Sequence, residues 1–223
     1  MNRDTASARP ADPAESRPSR ATVGRLSLYL RQLEGILGQG TLKVSSRQLG
    51  QAIGITDVQV RKDITYLGNL GQPGIGYPTQ DLIAAIRRVL CIDREWAVAL
   101  VGVGNLARAL LRYKGFLQRG FRIVALFDAD PSKVGQRVEG LEVHPPEKMR
   151  EVIAATKAEL GLLAVPSDSA QAVADSLVNA GVRGLVNFAP VVLRLPAHVS
   201  LVAVDLTVQL EQLAFQVQHT DVD

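Results

Sequence analysis

Between positions 23 and 90, apolar residues recur with the period of a helix. Val23, Leu26, Tyr29, Leu30, Leu33, Ile36 and Leu37 form a first stripe, which Gly38 and Gly40 bring to an end. Ser45 or Ser46 can cap a second helix carrying Leu49, Ala52 and Ile53, and Gly54-Ile55 suits a tight turn. Thr56 opens a third helix, with Gln59 at the spacing of a capping box, Val60, Ile64 and Leu67 facing the core, and Gly68 as the stop. The run Gly71-Gln72-Pro73-Gly74-Ile75-Gly76-Tyr77-Pro78 holds too much Gly and Pro for a helix and predicts a short hairpin or extended loop. Residues 81–90 are helical again, on Leu82, Ile83, Ile86, Val89 and Leu90. Helix, turn, helix and glycine-rich hairpin, in that order, predict a winged helix whose third helix, 56–67, is the recognition helix.

The period changes at Trp96. Residues 96–101 are a short apolar run followed by a glycine, as in a strand buried on both faces. Residues 105–113 read as a helix, 121–127 and 160–165 as strands, 170–179 as a helix, and 182–188 and 199–204 as two more strands. This alternation predicts an α/β fold, a Rossmann-type parallel sheet with crossover helices. Residues 205–218 form one amphipathic helix on Leu206, Leu210, Leu213, Phe215 and Val217. Its apolar side needs cover, from its own domain or from a second subunit. The expected organisation is a leader (1–20), a winged-helix DNA-binding domain (21–92), a Rossmann domain (93–204) and a terminal helix (205–223).

Charge sharpens the division. Residues 1–90 hold 12 Lys and Arg against 7 Asp and Glu, whereas residues 91–223 hold 13 against 15. A basic front half points to nucleic-acid contacts at the front alone. The first 20 residues are rich in Pro, Ala, Ser, Asp and Arg and lack an apolar core, so they read as a disordered leader and not a secretory signal. No apolar run reaches the roughly 18 residues a membrane span needs. The single cysteine, Cys91, excludes an internal disulfide and a cysteine-only zinc site, and it fits a cytoplasmic protein. Among apolar neighbours it is expected to fill core space.

Gly102-Val103-Gly104-Asn105-Leu106-Ala107 follows a predicted strand and opens a predicted helix, the setting of the dinucleotide fingerprint G-x-G-x-x-G/A. Gly102 permits the tight turn, Gly104 lets backbone approach a pyrophosphate, and Ala107 is small enough for helix to pack on strand. The free N–H groups and positive end of the helix then face phosphate. Asp128 ends the next strand, 24 residues after Gly104, where a carboxylate can accept from ribose hydroxyls and would repel a 2′-phosphate, favouring NAD(H) over NADP(H). A dehydrogenase also needs a substrate region and a proton-transfer residue. Residues 95–205 are one Rossmann unit with nothing to spare, and none of His144, His198 and His219 adjoins the fingerprint in sequence; each reads as a surface residue. The nucleotide is therefore expected to be bound and not used. In the front half, the exposed face of 56–67 carries Asp57, Gln59, Arg61, Lys62, Thr65 and Tyr66, groups able to meet base edges and phosphates.

The two halves together resemble the Rex family of redox-sensing repressors over roughly residues 20–218. The resemblance rests on Gln59-Val60-Arg61-Lys62-Asp63-Ile64-Thr65-Tyr66-Leu67-Gly68, Gly74-Ile75-Gly76-Tyr77, Leu100-Val101-Gly102-Val103-Gly104-Asn105-Leu106, Phe127-Asp128-Ala129-Asp130-Pro131-Ser132-Lys133-Val134-Gly135, and Gly184-Leu185-Val186-Asn187-Phe188-Ala189-Pro190. It implies a homodimer that binds an inverted-repeat operator when NADH is scarce and leaves it when NADH binds, with NAD⁺ as the weaker or competing effector. By the same resemblance Asn187, Phe188, Ala189 and Pro190 lie by the nicotinamide, and Lys133, Val165 and Pro166 join the cofactor contacts. Ser46, Gly74 and Gly76 join the DNA surface. Arg31, Tyr113 and Asp205 map onto a network that differs between dimer geometries, and the terminal helix is exchanged between subunits. One departure stands out: the family's wing often carries an arginine that can enter the minor groove, and here Pro73 holds that place, which implies weaker or less selective binding there. Two other readings remain open from the residues alone, a small NAD(H) oxidoreductase or CoA-binding ligase subunit, and a module whose winged helix holds another protein.

Overall fold

The computed structural model describes residues 17–68, 70 and 76–219. Most of the expected leader, the wing positions Pro73 and Gly74, and the last four residues lie outside the described residues. The chain divides into two compact units, Met1–Arg94 and Glu95–Asp223.

The first unit is built on α1 (Arg20–Gly38), β1 (Lys43–Val44), α2 (Ser46–Ile53), α3 (Asp57–Ile64), a 3₁₀ turn at Thr65–Leu67, β2 (Tyr77–Pro78) and α4 (Thr79–Val89). Ser45, not Ser46, caps α2: its hydroxyl accepts from Gln48 N–H while the Gln48 side chain returns to the Ser45 N–H, a complete capping box. At α3 only half of the predicted box forms. Thr56 accepts from the Gln59 N–H, but the Gln59 side chain turns elsewhere. Gly50 lets α2 meet the turn into α3, because a Cβ there would lie 2.5 Å from the Ile55 carbonyl oxygen. The stripe residues Leu26, Tyr29, Leu30, Leu33, Leu49, Val60, Ile64, Leu82 and Ile86 form one core. β2 pairs antiparallel with β1, Val44 opposite Tyr77. Cys91 does not fill the core. It follows the end of α4 with φ of 54° and is exposed, because the helix has stopped at Leu90 and the backbone turns outward.

The second unit contains β3 (Trp96–Val101), α5 (Asn105–Arg112), α6 (Gly115–Gln118), β4 (Phe121–Phe127), β5 (Arg137–Val138), β6 (Leu141–His144), α7 (Met149–Thr156), β7 (Leu160–Leu163), α8 (Ser167–Asn179), β8 (Gly184–Asn187), β9 (Ser200–Ala203) and α9 (Leu206–His219). The sheet runs β5-β6-β4-β3-β7-β8-β9. All pairings are parallel except the edge pair of β5 and β6. Leaving β5 aside, this is the doubly wound order whose direction reverses between β3 and β7, where such sheets open a ligand crevice. Alternate residues face opposite ways: Ala99 and Val101 pack under α7 and α8, and Val98 and Leu100 under α5. Toward β7, β8 and β9 the α5 side of the sheet stays uncovered, leaving an apolar cavity of about 300 Å³ lined in part by Phe116, Phe121, Leu162, Val186 and Val202. Among the described residues no helix is long and apolar enough to cross a membrane, and no cluster of His, Cys, Asp and Glu could hold a metal ion.

Candidate functional site

The glycine turn sits at the carboxyl end of β3, on the reversal point. Gly102 has φ of 89°, and a Cβ there would run into the Ala164 carbonyl at the end of β7, so this position demands glycine on internal grounds. Gly104 differs. Its φ of −91° suits any residue, and a Cβ would meet nothing within 4 Å. The first turn of α5 has no side-chain cap, so its leading N–H groups, around exposed Asn105 and Leu106, remain for an outside acceptor. Ala107 is fully buried beneath the helix.

Asp128 ends β4 beside this turn and is 8% exposed. Its Oδ2 accepts from the Val103 N–H at 2.7 Å and from Lys133 Nζ at 3.0 Å, and its Oδ1 accepts from the Asp130 N–H at 2.9 Å. Burial pushes the carboxyl pKa up, but these bonds outweigh it and hold the pKa below the usual value, so the group is a carboxylate. Three of roughly four acceptor positions are filled. Gly102, Gly104, Asp128, Lys133, Val165 and Pro166 together line one cavity of about 480 Å³.

The loop after β8 opens a second cleft, of about 400 Å³, where Ala189 and Pro190 stand with Val191, Asp205, Val208 and Gln209. Asn187 is buried and its amide is spent locally: Nδ2 donates to the Ala189 and Val191 carbonyls, and Oδ1 accepts from the Ala189 N–H, each at 3.0 Å. Phe188 packs partly into the α5 side of the core. The sequence-predicted cofactor residues thus fall into two groups at the carboxyl ends of the parallel strands. His144 is half-buried, not superficial, with Nδ1 shielded, without a hydrogen bond among the described residues and 3.9 Å from Glu142 Oε1, whereas His198 and His219 are exposed.

In the first unit, Arg61 and Lys62 are exposed on α3. Arg61 Nη1 donates to Asp57 at 2.5 Å and to Ser46 Oγ at 3.3 Å, tying α3 to the first residue of α2. Thr65 donates to the Lys62 carbonyl at 2.7 Å, and Tyr66 is half-buried. Gly76 has φ of 85°, and a Cβ would lie 2.9 Å from the Val44 carbonyl, so its backbone is pressed against β1. Arg31 is exposed on α1 in this unit; Tyr113 and Asp205 belong to the other. Tyr113 packs edge-on to Phe116, and Asp205 accepts from the N–H groups of Thr207 and Val208 at the start of α9.

One cluster was missed from sequence. Asp63 is 1% exposed on the core side of α3. Its Oδ2 accepts from Arg25 Nε at 2.6 Å and Tyr29 Oη at 2.9 Å; its Oδ1 accepts from Arg25 Nη2 at 2.7 Å and Gln59 Nε2 at 2.9 Å. Burial raises its pKa, and the bonds from Arg25, Tyr29 and Gln59 more than offset this, leaving it below the ordinary range. Tyr29, buried and donating to the carboxylate, is raised. The signal was available: Asp63 lies in the helical phase of Val60, Ile64 and Leu67, where a charge must find partners.

Comparison with known proteins joins the two units. Residues 19–65 match the family described as "Putative DNA-binding protein N-terminus", and residues 93–191 match "CoA binding domain". The chain is 46% identical to the redox-sensing transcriptional repressor Rex of Desulfitobacterium hafniense, over 88% of this chain and 94% of that protein. It is 47% identical to Rex of Pelotomaculum thermopropionicum, over 87% and 92%. Among solved structures it is similar to RSP in complex with beta-NAD+ and operator DNA, with TM-score 0.86 and 33% identity over 92% of this chain and 94% of that one. RSP in complex with beta-NADH gives TM-score 0.82 and 32% identity over 92% and 96%. The α/β fold, the helical front unit and the relatives' shared naming agree, and the chain belongs to the Rex family of redox-sensing transcriptional repressors.

Proposed function

We propose that two copies of this chain bind an inverted-repeat operator through α2 and α3, and that NADH held at the carboxyl ends of the second unit's strands releases them. Residues 21–92 serve as the DNA-binding domain, 93–204 as the NAD(H) domain and 205–223 as a helix exchanged between subunits, in the cytoplasm. The observation that carries the nucleotide half is the contrast within the glycine turn. Gly102 is required by the fold itself, whereas Gly104 leaves an open space that no described residue fills, beside uncapped N–H groups and a carboxylate with acceptor capacity to spare. Gly102, Val103, Gly104, Asn105, Leu106 and Ala107 would hold the pyrophosphate, Asp128 the ribose with Lys133 beside it, and Val165 and Pro166 the wall. Asn187, Phe188, Ala189 and Pro190 would shape the nicotinamide end. NAD(H) supplies no chemistry to a substrate here; its oxidation state is the signal.

The dimer reading is supported by α9, whose Leu206, Leu210, Leu213, Phe215 and Val217 are all exposed, and by the uncovered apolar sheet face. A charge-assisted bond across subunits, from Arg31 of one copy to Asp205 of the other and with Tyr113 in the same network, would form in one dimer geometry and break in the other. Ser46, Gln59, Arg61, Lys62, Thr65 and Tyr66, with Gly74 and Gly76 of the wing, would make the DNA surface. NADH must bind the DNA-free geometry more tightly, since a ligand with equal affinity for both shifts nothing. The test is an operator-shift titration with NADH at fixed salt, NAD⁺ and coenzyme A serving as controls. Release that does not depend on NADH would sink the proposal.

A further inference from the structure

The buried carboxylate of Asp63 constrains more than the fold, because one of its three partner residues, Gln59, sits at the half-buried margin of α3. Gln59 is half-buried, one turn before Asp63, and reaches it through Nε2 at 2.9 Å. An amide can turn either end inward, and its two ends are chemically opposite. Facing a carboxylate, only the NH₂ end is acceptable, because the carbonyl end would set acceptor against acceptor. Asp63 is kept ionised by the Arg25 guanidinium, which bonds both of its oxygens at 2.6 and 2.7 Å, with Tyr29 as a third support. The Gln59 side chain has no such freedom as a solvated glutamine would have.

We propose that Asp63 is a positioning residue for sequence recognition, fixing the orientation of the Gln59 amide so that it presents its carbonyl together with the adjoining N–H to the DNA. That edge is acceptor plus donor, the complement of adenine, whose N6 donates and whose N7 accepts in the major groove. The proposal rests on the reading of α3 as the DNA-facing helix. It also says what a neutral amide at position 63 would do. In Asp63→Asn the one oxygen is placed at the Oδ2 position, where Arg25 Nε and Tyr29 Oη both donate, so the Asn NH₂ takes the Oδ1 position and faces Gln59 as well as Arg25 Nη2. The Gln59 amide then turns over, carbonyl inward and NH₂ outward, and an outward NH₂ suits an acceptor edge such as N7 and O6 of guanine.

The experiment compares wild type, Asp63→Asn and Gln59→Leu against an inverted-repeat library in which each half-site base pair is varied in turn. Wild type should favour adenine at one position by about tenfold. Gln59→Leu should flatten that position and leave the others unchanged. Asp63→Asn should shift the same position from adenine toward guanine. If Asp63→Asn binds more weakly but with wild-type base preference, Asp63 is only a brace and the proposal is overturned. If Asp63→Asn does not fold, Gln59→Leu decides: wild-type preference at every position overturns the proposal. Wild-type protein that binds no inverted repeat overturns the DNA reading itself, a result distinct from binding with preferences untouched in both variants.

Discussion

Each unit holds a buried carboxylate at its centre of interest, Asp63 at 1% exposure and Asp128 at 8%. In both, burial alone would raise the pKa and hydrogen bonds reverse the sign. Their partners differ. Asp63 is satisfied by side chains, two of them from α1 and 34 to 38 residues distant, and its four acceptor positions are all taken. Asp128 is held by one backbone N–H of its own loop, at Asp130, one of the glycine turn, at Val103, and one lysine, and it borders an open cavity. A carboxylate that crosslinks helices is closed to newcomers, whereas one held by loop backbone is oriented with capacity left for a ligand. Partner type therefore separates the two roles where burial and charge do not.

Removing each carboxylate tests that distinction, and the larger effect on stability belongs to Asp63. Asp63→Ala strands Arg25, a quarter exposed, against a buried site with no acceptor, and leaves Tyr29 Oη unpaired. The expected loss is about 3 kcal/mol, read by urea denaturation followed through the helical signal. NADH affinity should stay within about twofold. A loss below about 1 kcal/mol would mean that the cluster is no more than a surface pair, and the comparison would fail.

The same contrast explains what could be read from sequence. Helical and strand periods located α1, α3, β3, β4 and the terminal helix within a few residues, because each buries a continuous stripe. The short edge of the sheet, β5 and β6, and the helices α6 and α7 gave no comparable stripe and were passed over. Gly102, Gly104 and Asp128 were legible because their spacing, a glycine turn after one strand and a carboxylate at the end of the next, is that of a dinucleotide fingerprint. The Asp63 cluster was not, since Arg25 and Tyr29 approach it only after α1 and α3 pack. Gln59 was assigned to the DNA-facing surface by helical phase, but its bond to Asp63 required knowledge of which way that long side chain turns.

Asp128→Ala should act chiefly on the ligand. Charge-assisted bonds are worth about 1.5–3 kcal/mol, so NADH affinity should fall roughly tenfold to a hundredfold by calorimetric titration, with discrimination against NADPH reduced as the negative charge is lost. Unchanged NADH binding would remove the ribose assignment and, with it, the functional half of the comparison. Gly104→Ala sharpens this further. Its ordinary φ and empty surroundings predict little change in stability, while a methyl group in the open space should weaken NADH by about tenfold, or ~1.4 kcal/mol. If Gly104→Ala lowers stability and spares NADH, the glycine serves the fold and the open space is not a nucleotide site.

The smallest expected effect is on pH dependence, and its sign follows from the depressed pKa values. A carboxyl group whose folded pKa lies below its unfolded value of about 3.9 binds fewer protons when folded. Its contribution is complete above the unfolded pKa and is lost as pH falls through the folded one. Asp63 and Asp128 both belong to this class, so each unit should lose stability below about pH 4. The single tryptophan, Trp96, lies in the second unit and follows it alone, whereas helices of both units contribute to the helical signal. In Asp63→Asn the acid-induced loss in the helical signal should shrink while the tryptophan transition keeps its wild-type pH dependence. In Asp128→Asn the tryptophan transition should lose much of its acid dependence. If Asp63→Asn alters both transitions equally, the two carboxylates are coupled through the chain, and treating them as independent members of separate units is wrong.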